Sequence, residues 1–285
     1  MGTSQSSKGS PSGVPMVPPW VPDIPLPERP DEEGNFDEQL EEPSVPETTP
    51  EIDTNQPTPI APPSRFGGAK RSVGDYAKSG DRTSMQKGLG QYVKKGYGGS
   101  STATRRMAAT AQTAQALFSA LTGGGENPFA AEGGLLDPAL ISGKIADEIM
   151  DAVVEAVRPV DGTQDAEASR ASIKDALSDV LNFYPDADLT NLSQEQRDMA
   201  IERYVAGDVF RRIDLDLGKS IRDKAPSSKA AMGRLKEVRE YVRETVAAAF
   251  KKSKGTGKTL SSKTVTKIVQ NAIRETFEVF AGYAE

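Results

Sequence analysis

From residue 141 to residue 280 the apolar positions of this chain recur at intervals of three and four, with polar and charged residues between them. That period matches α-helices with one face turned inward, and no stretch shows the period-2 alternation of a half-buried strand. Ile141, Ile145, Ile149, Val153 and Val157 mark one helix, stopped at Pro159. Ile173, Ala176, Leu177, Val180 and Leu181 mark a second, closed by Tyr184 and Pro185. Ser193 with Gln196 has the capping-box spacing, and it introduces a third helix through Met199, Tyr204, Val205, Val209 and Phe210. Leu235, Val238, Val242, Val246 and Phe250 define the next, between Pro226 and Gly255, and Val265, Ile268, Val269, Ile273, Phe277 and Phe280 the last.

Upstream, the pattern predicts two short helices at about 69–79 and 82–95, the second ended by Gly96 and the Gly98-Gly99 pair. Ser100 or Ser101 then caps a longer helix whose inward face is Met107, Ala111, Ala114, Phe118 and Leu121, ended by Gly123. The expected fold class is therefore all-α, a body of seven or eight helices. It divides into a helical region at 66–122 and a helical bundle at 135–285.

No such pattern exists before residue 66. Residues 1–65 hold 15 of the 20 prolines, which fix φ and remove backbone donors, so this stretch is expected to be a long disordered arm. Within it, residues 1–27 differ from 28–65. The first part carries apolar residues between prolines at 11, 15, 18, 19, 22, 25 and 27, together with the only tryptophan, Trp20. Val14, Pro15, Met16, Val17, Pro18, Pro19, Trp20, Val21 and Pro22 form the candidate docking motif. A preformed extended chain of this kind loses little entropy on entering a partner's groove. Residues 28–65 form an acidic, Pro-rich linker.

Charge follows the same boundary. Residues 1–65 carry 12 Asp and Glu against 3 Lys and Arg, while 66–285 carry 29 against 32, so the overall −6 hides an acidic arm on a mildly basic body. Residues 66–107 are more basic still, with 9 Lys and Arg facing only Asp75 and Asp81.

Cysteine and histidine are both absent. Without them there is no disulfide, thiolate nucleophile or Cys-ligated zinc, and the commonest general base and the usual partner of a nucleophilic serine are missing. The expectation is a protein that is not an enzyme, with no catalytic residue, no metal and no cofactor. No apolar run approaches the roughly 18 residues of a membrane span, and no secretory signal opens the chain, so a cytoplasmic protein is expected.

Three motifs fail on inspection. Lys254-Gly-Thr-Gly-Lys-Thr259 lacks the first glycine of a phosphate loop, because Lys252 stands there, and it follows a helix rather than a strand. Asp214-Leu-Asp-Leu-Gly218 places its glycine one position early for a calcium loop and has Ala225 where a bidentate Glu is required. Asp147, Asp151 and Glu155 share one helix face, but Asp151 lies roughly 200° from the apolar stripe, so the row points into water.

Two positive signals remain. The basic region interleaves Lys94, Lys95, Arg105 and Arg106 with Tyr76, Tyr92 and Tyr97, the mixture that phosphate contact and base stacking require, so a nucleic-acid-binding adaptor is one alternative. The acidic linker, opposite in sign and tethered, would mask that face. At the start of the chain, removal of Met1 leaves Gly2 with a free α-amine, a candidate modification site. Gly2 with Ser6 also satisfies the myristoylation pattern, which makes a lipidated adaptor the second alternative. One acyl chain anchors only marginally, and an anionic membrane would repel the acidic stretch behind it.

The segments Met1-Gly-Thr-Ser4, Ser12-Gly-Val-Pro-Met-Val-Pro-Pro-Trp-Val-Pro22, Gly90-Gln-Tyr-Val-Lys-Lys-Gly-Tyr-Gly-Gly-Ser100 and Arg105-Arg-Met107 resemble the QatB accessory proteins of bacterial Qat anti-phage systems. The resemblance extends over the whole chain. Such systems pair this protein with an ATPase, a QueC-like enzyme and a TatD-like DNase, and QueC itself uses ATP to activate a 7-deazaguanine carboxylate. The resemblance implies that this chain is the partner of the QueC-like enzyme, with Gly2 as the amine that receives a deazapurine through an amide bond. The ATPase or DNase would bind the helical body.

Overall fold

A computed structural model describes residues 13–19, 21–26, 60–123, 127–255 and 259–284. Gly2, Trp20, the acidic run 28–53 and residues 256–258 of the rejected phosphate loop lie outside the described residues.

The described residues are helical with no named strand, in agreement with the all-α expectation. Helices α1 (Gly67–Ser79), α2 (Arg82–Gln91), α3 (Ser100–Arg106) and α4 (Ala108–Ala120) come first. After them run α5 (Pro138–Ile141), α6 (Ala146–Val157), α7 (Gln164–Phe183), α8 (Gln194–Ile213), α9 (Lys219–Lys224), α10 (Ser228–Lys254) and α11 (Val265–Ala281). The finer division than the sequence pattern suggests has local causes. Met107, at φ −98° and ψ 15°, breaks the run from 100 to 120 into α3 and α4.

Side-chain caps set several helix starts. Asp81 accepts from the backbone N–H groups of Thr83 and Ser84, and Thr163 from Ala166. Ser193 and Gln196 form the expected capping box. The helix predicted from Ile141 and Ile145 begins later, at Ala146. Ile145 precedes it with 65% of its surface exposed, and its N–H donates to the Glu148 carboxylate at 3.1 Å. A strict four-residue repeat turns by about 40° per step around a 3.6-residue helix, so no single face can bury all of it. The face buried is instead Met150, Val153, Val154 and Val157. Asp147 and Asp151 are exposed as expected, Asp151 paired with Lys174 at 2.7 Å.

Helix α8 lies against α4, α7 and α10, while α11 packs on α10, α4, α3 and α2. The buried residues form one contiguous core from Phe66 to Phe280, so helices of both 66–122 and 135–285 contribute to it. Two helices end in a wide turn: α2 continues as a π-turn at Tyr92–Gly96 and α8 as one at Asp214–Gly218. These turns meet. Asp216 accepts from the hydroxyls of Tyr92 at 2.9 Å and Tyr97 at 3.1 Å. Phe66 stacks on Tyr92, and Tyr97 meets both edge-on, with ring centroids 5.2–5.4 Å apart, and the Arg65 guanidinium sits 4.6 Å from the Phe66 ring. No described helix is long and apolar enough to cross a membrane.

Candidate functional site

The two sets of residues singled out by the sequence, the Pro-rich motif and the basic region, meet at one place. Val21 and Pro22 form part of the wall of a cleft of about 490 Å³, and Arg106 and Met107 form another part, where α3 gives way to α4. The floor comes from α7 and α8, through Asp165, Ser169, Asp208 and Arg212, and the remaining wall carries Thr110, Thr113 and Arg158.

A three-member ion pair organises the cleft. Asp165, in the first turn of α7, accepts from Arg212 of α8 at 2.5 Å through one oxygen and from Arg106 of α3 at 2.6 Å through the other. Burial pushes the Asp165 carboxyl up, but the two guanidiniums, Arg212 first, more than offset that and hold it down at about 2. Two cations thus share one carboxylate. Burial likewise disfavours the Arg212 cation, yet Asp165 outweighs it and keeps Arg212 charged.

Asp208 sits one turn from Arg212 on α8, 9% exposed, and accepts from the Thr110 hydroxyl at 2.6 Å. Burial raises its pKa, opposed by that hydrogen bond and by Arg212. A carboxyl raised in the folded state contributes stability below the unfolded value of 3.8 and loses it as pH rises through its folded pKa. Asp208→Asn keeps an acceptor for Thr110 and removes the buried charge. It is expected to raise Tm at pH 7 by about 2–4 °C, the equivalent of about 1 kcal/mol. A lower Tm in calorimetry would show instead that the charged form is the one the fold uses.

The arm beside the cleft is partly seated on the body. Met16 and Val21 are buried at 6% and 8% exposure, while Val14, Pro15 and Pro19 are exposed and Val17 and Pro18 intermediate. Lys94, Lys95 and Arg105 are exposed, whereas Arg106 is committed to Asp165 with 13% of its side chain exposed. Tyr76, Tyr92 and Tyr97 are buried at 1%, 0% and 3%, so the base-stacking role considered for them fails. Their hydroxyls are used internally, Tyr76 on the Glu237 carboxylate at 2.7 Å and the other two on Asp216. Burial, with Asp216 nearby, pushes the Tyr97 phenol up to about 12.

Asp165, Arg212, Arg158 and Asp208 were not singled out by sequence reasoning. One of them left a signal: Asp208 follows Tyr204 by four residues on the apolar stripe of α8, where an acid needs a partner. Among the described residues no group of three or more acidic side chains is placed to hold a metal ion.

A family model described as Qat anti-phage system associated protein QatB matches residues 98–280, which is more than half of the chain. The match begins at the Gly98 turn and takes in the ion-paired residues of the cleft. No curated protein and no solved structure matches the chain.

Proposed function

The chain belongs to the family of Qat anti-phage system associated protein QatB, and from that premise we propose that it is a non-enzymatic, cytoplasmic component of an anti-phage defence complex whose arm presents Gly2 to a QueC-like enzyme. Family membership is the observation that carries this reading. The absence of cysteine and histidine agrees with it, because it removes the thiolate nucleophile and the commonest general base.

An α-amine titrates near pH 8, so a useful fraction is neutral at about pH 7, unlike a lysine near 10.4. Glycine has no side chain to obstruct a narrow active site. The Gly2 nitrogen attacks a deazapurine carboxylate that the enzyme has activated with ATP. A carbon–nitrogen bond forms, the bond from the carbonyl carbon to the activating group breaks with its electron pair, and the amine gives up a proton. Val14, Pro15, Val17, Pro18, Pro19, Trp20 and Pro22 are the docking residues left to a partner once Met16 and Val21 are buried, and they raise the local concentration of the arm at the enzyme. The ATPase and TatD-like DNase are assigned to the helical body.

Intact-mass measurement of the protein produced with and without the QueC-like enzyme tests the reading. The expected product is the chain lacking Met1 and carrying one added acyl group on Gly2. No mass change beyond methionine loss would remove the conjugation step. Trp20→Ala is expected to weaken binding of the QueC-like enzyme by at least about tenfold, the loss of one buried aromatic anchor. If binding is instead unchanged by Trp20→Ala and lost on reversing the charge of Lys94, Lys95 and Arg105, the basic face rather than the arm is the contact.

A further inference from the structure

We propose that residues 13–19 and 21–26 are an anchored part of the body, so that the enzyme served by the arm meets a surface built from both. The inference rests on the reading above, in which the arm presents Gly2, and it adds where the arm starts.

The anchor has three parts. First, the Gly13 N–H donates to the Ala61 carbonyl at 3.0 Å, and the Ala61 N–H donates to the Val14 carbonyl at 2.8 Å. Two residues thus face one, a bulge that the left-handed Gly13, at φ +73°, accommodates. The next residue, Pro15, stands opposite Ile60 in an antiparallel bridge, at a position whose backbone groups point away from the partner strand. Its missing N–H therefore costs nothing there. Second, Met16 is buried beside the Gly98 turn, and a Cβ on Gly98 would stand 3.7 Å from the Met16 sulfur. Third, Val21 is buried and, with Pro22, walls the cleft against Arg106 and Met107.

The apolar residues of the motif are thereby sorted. Met16 and Val21 are turned inward and serve the chain itself, whereas Val14, Pro15 and Pro19 are exposed and available to a partner. The segment bends at Pro18, where the Val21 N–H donates to the Pro18 carbonyl at 3.0 Å, and its exposed prolines form a bent ridge that fits a groove lined with apolar or aromatic side chains. The anchor also sets a reach. Gly2 precedes Gly13 by eleven residues, at most about 40 Å of extended chain. An active site that receives Gly2 must lie within that distance of Gly13, where the arm is tied to Ala61.

A disulfide tests this cleanly because the chain has no cysteine of its own. In the full chain, Pro15→Cys with Ile60→Cys places two thiols at a non-hydrogen-bonded pair of antiparallel residues, where the Cα separation suits a disulfide. The oxidised protein is expected to bind the QueC-like enzyme within about threefold of the reduced protein, since pinning removes no conformation the complex needs. A loss of more than about tenfold on oxidation, reversed by reductant, would show that the segment must leave the body and would overturn the anchor. If the reduced variant itself fails to bind, Pro15 is one of the contacts of the exposed ridge, and the amide exchange described next decides the anchor.

Should the unmodified chain fail to bind the enzyme, the reading of the arm falls, and amide hydrogen exchange decides the anchor separately. The Gly13 and Ala61 amides are expected to exchange at least about tenfold more slowly than free chain, and Met16→Asp with Val21→Asp to abolish that protection. Exchange at the free-chain rate in the unmodified protein would overturn the anchor.

Discussion

Gly90→Ala is expected to lower the stability of the body by about 3 kcal/mol, in the range of a core overpacked with no room to relax. A Cβ at Gly90 would lie 2.5 Å from the Ala284 nitrogen, 2.7 Å from the Tyr283 carbonyl carbon and 2.9 Å from the Phe280 carbonyl oxygen. All three are backbone atoms of α11 and the short 3-10 turn after it, Gly282–Ala284, so no side-chain rotation relieves the clash. Relief requires α2 to move off both the end of α11 and the turn after it, and α11 is among the most buried helices of the core, with Phe277 and Phe280 at 1% and 0% exposure. Gly233→Ala is the matched control. Gly233 lies inside α10, a Cβ there meets nothing within 4 Å, and the substitution is expected to stabilise by up to about 1 kcal/mol through helix propensity. Urea unfolding of the two variants beside the parent chain checks both signs. Equal stability of Gly90→Ala and the parent would mean that α2 and α11 are not packed this closely in solution.

Gly90 belongs to a segment quoted for its family resemblance, and nothing in its neighbours says that a backbone 190 residues downstream presses on it. Helix positions were legible because the 3.6-residue period and the capping box at Ser193 and Gln196 are local. Ile145 was misplaced because repetition every four residues resembles a helical stripe over two turns and drifts off it over four. The cleft was out of reach for a different reason. Its ion pair joins Arg106, Asp165 and Arg212 from three helices, and only packing brings them together. Asp214 to Gly218 carries acids but not the spacing of a calcium loop, while its actual use, Asp216 holding the Tyr92 and Tyr97 hydroxyls, depends on two π-turns that no residue pattern announces. The arm's seat rests on a few backbone bonds and two buried side chains, too little to leave a period.

Asp165→Asn is expected to cost about 3 kcal/mol at pH 7, because it leaves the guanidiniums of Arg106 and Arg212 close together with no carboxylate between them. The sign of the pH dependence follows from the depressed pKa. A carboxyl at about 2 in the fold and 3.8 in the unfolded chain contributes its stability above the unfolded value and loses it as pH falls through the folded one. The parent chain should therefore lose about 2 kcal/mol from this site between pH 5 and pH 2, and the variant should not. Asp208 complicates the loss in a testable way. Its carboxyl is raised by burial, and Arg212 pulls it down while Asp165 pushes it up. Removing the Asp165 charge frees Arg212 to stabilise an ionised Asp208, one turn away on the same helix, so part of the lost interaction is recovered. Asp208→Asn, expected to stabilise the parent, should then destabilise the Asp165→Asn background, a coupling of about 1 kcal/mol or more in a double-mutant cycle. Additive effects would mean that the two carboxylates do not compete for Arg212, and the cleft would be two independent ion sites rather than one.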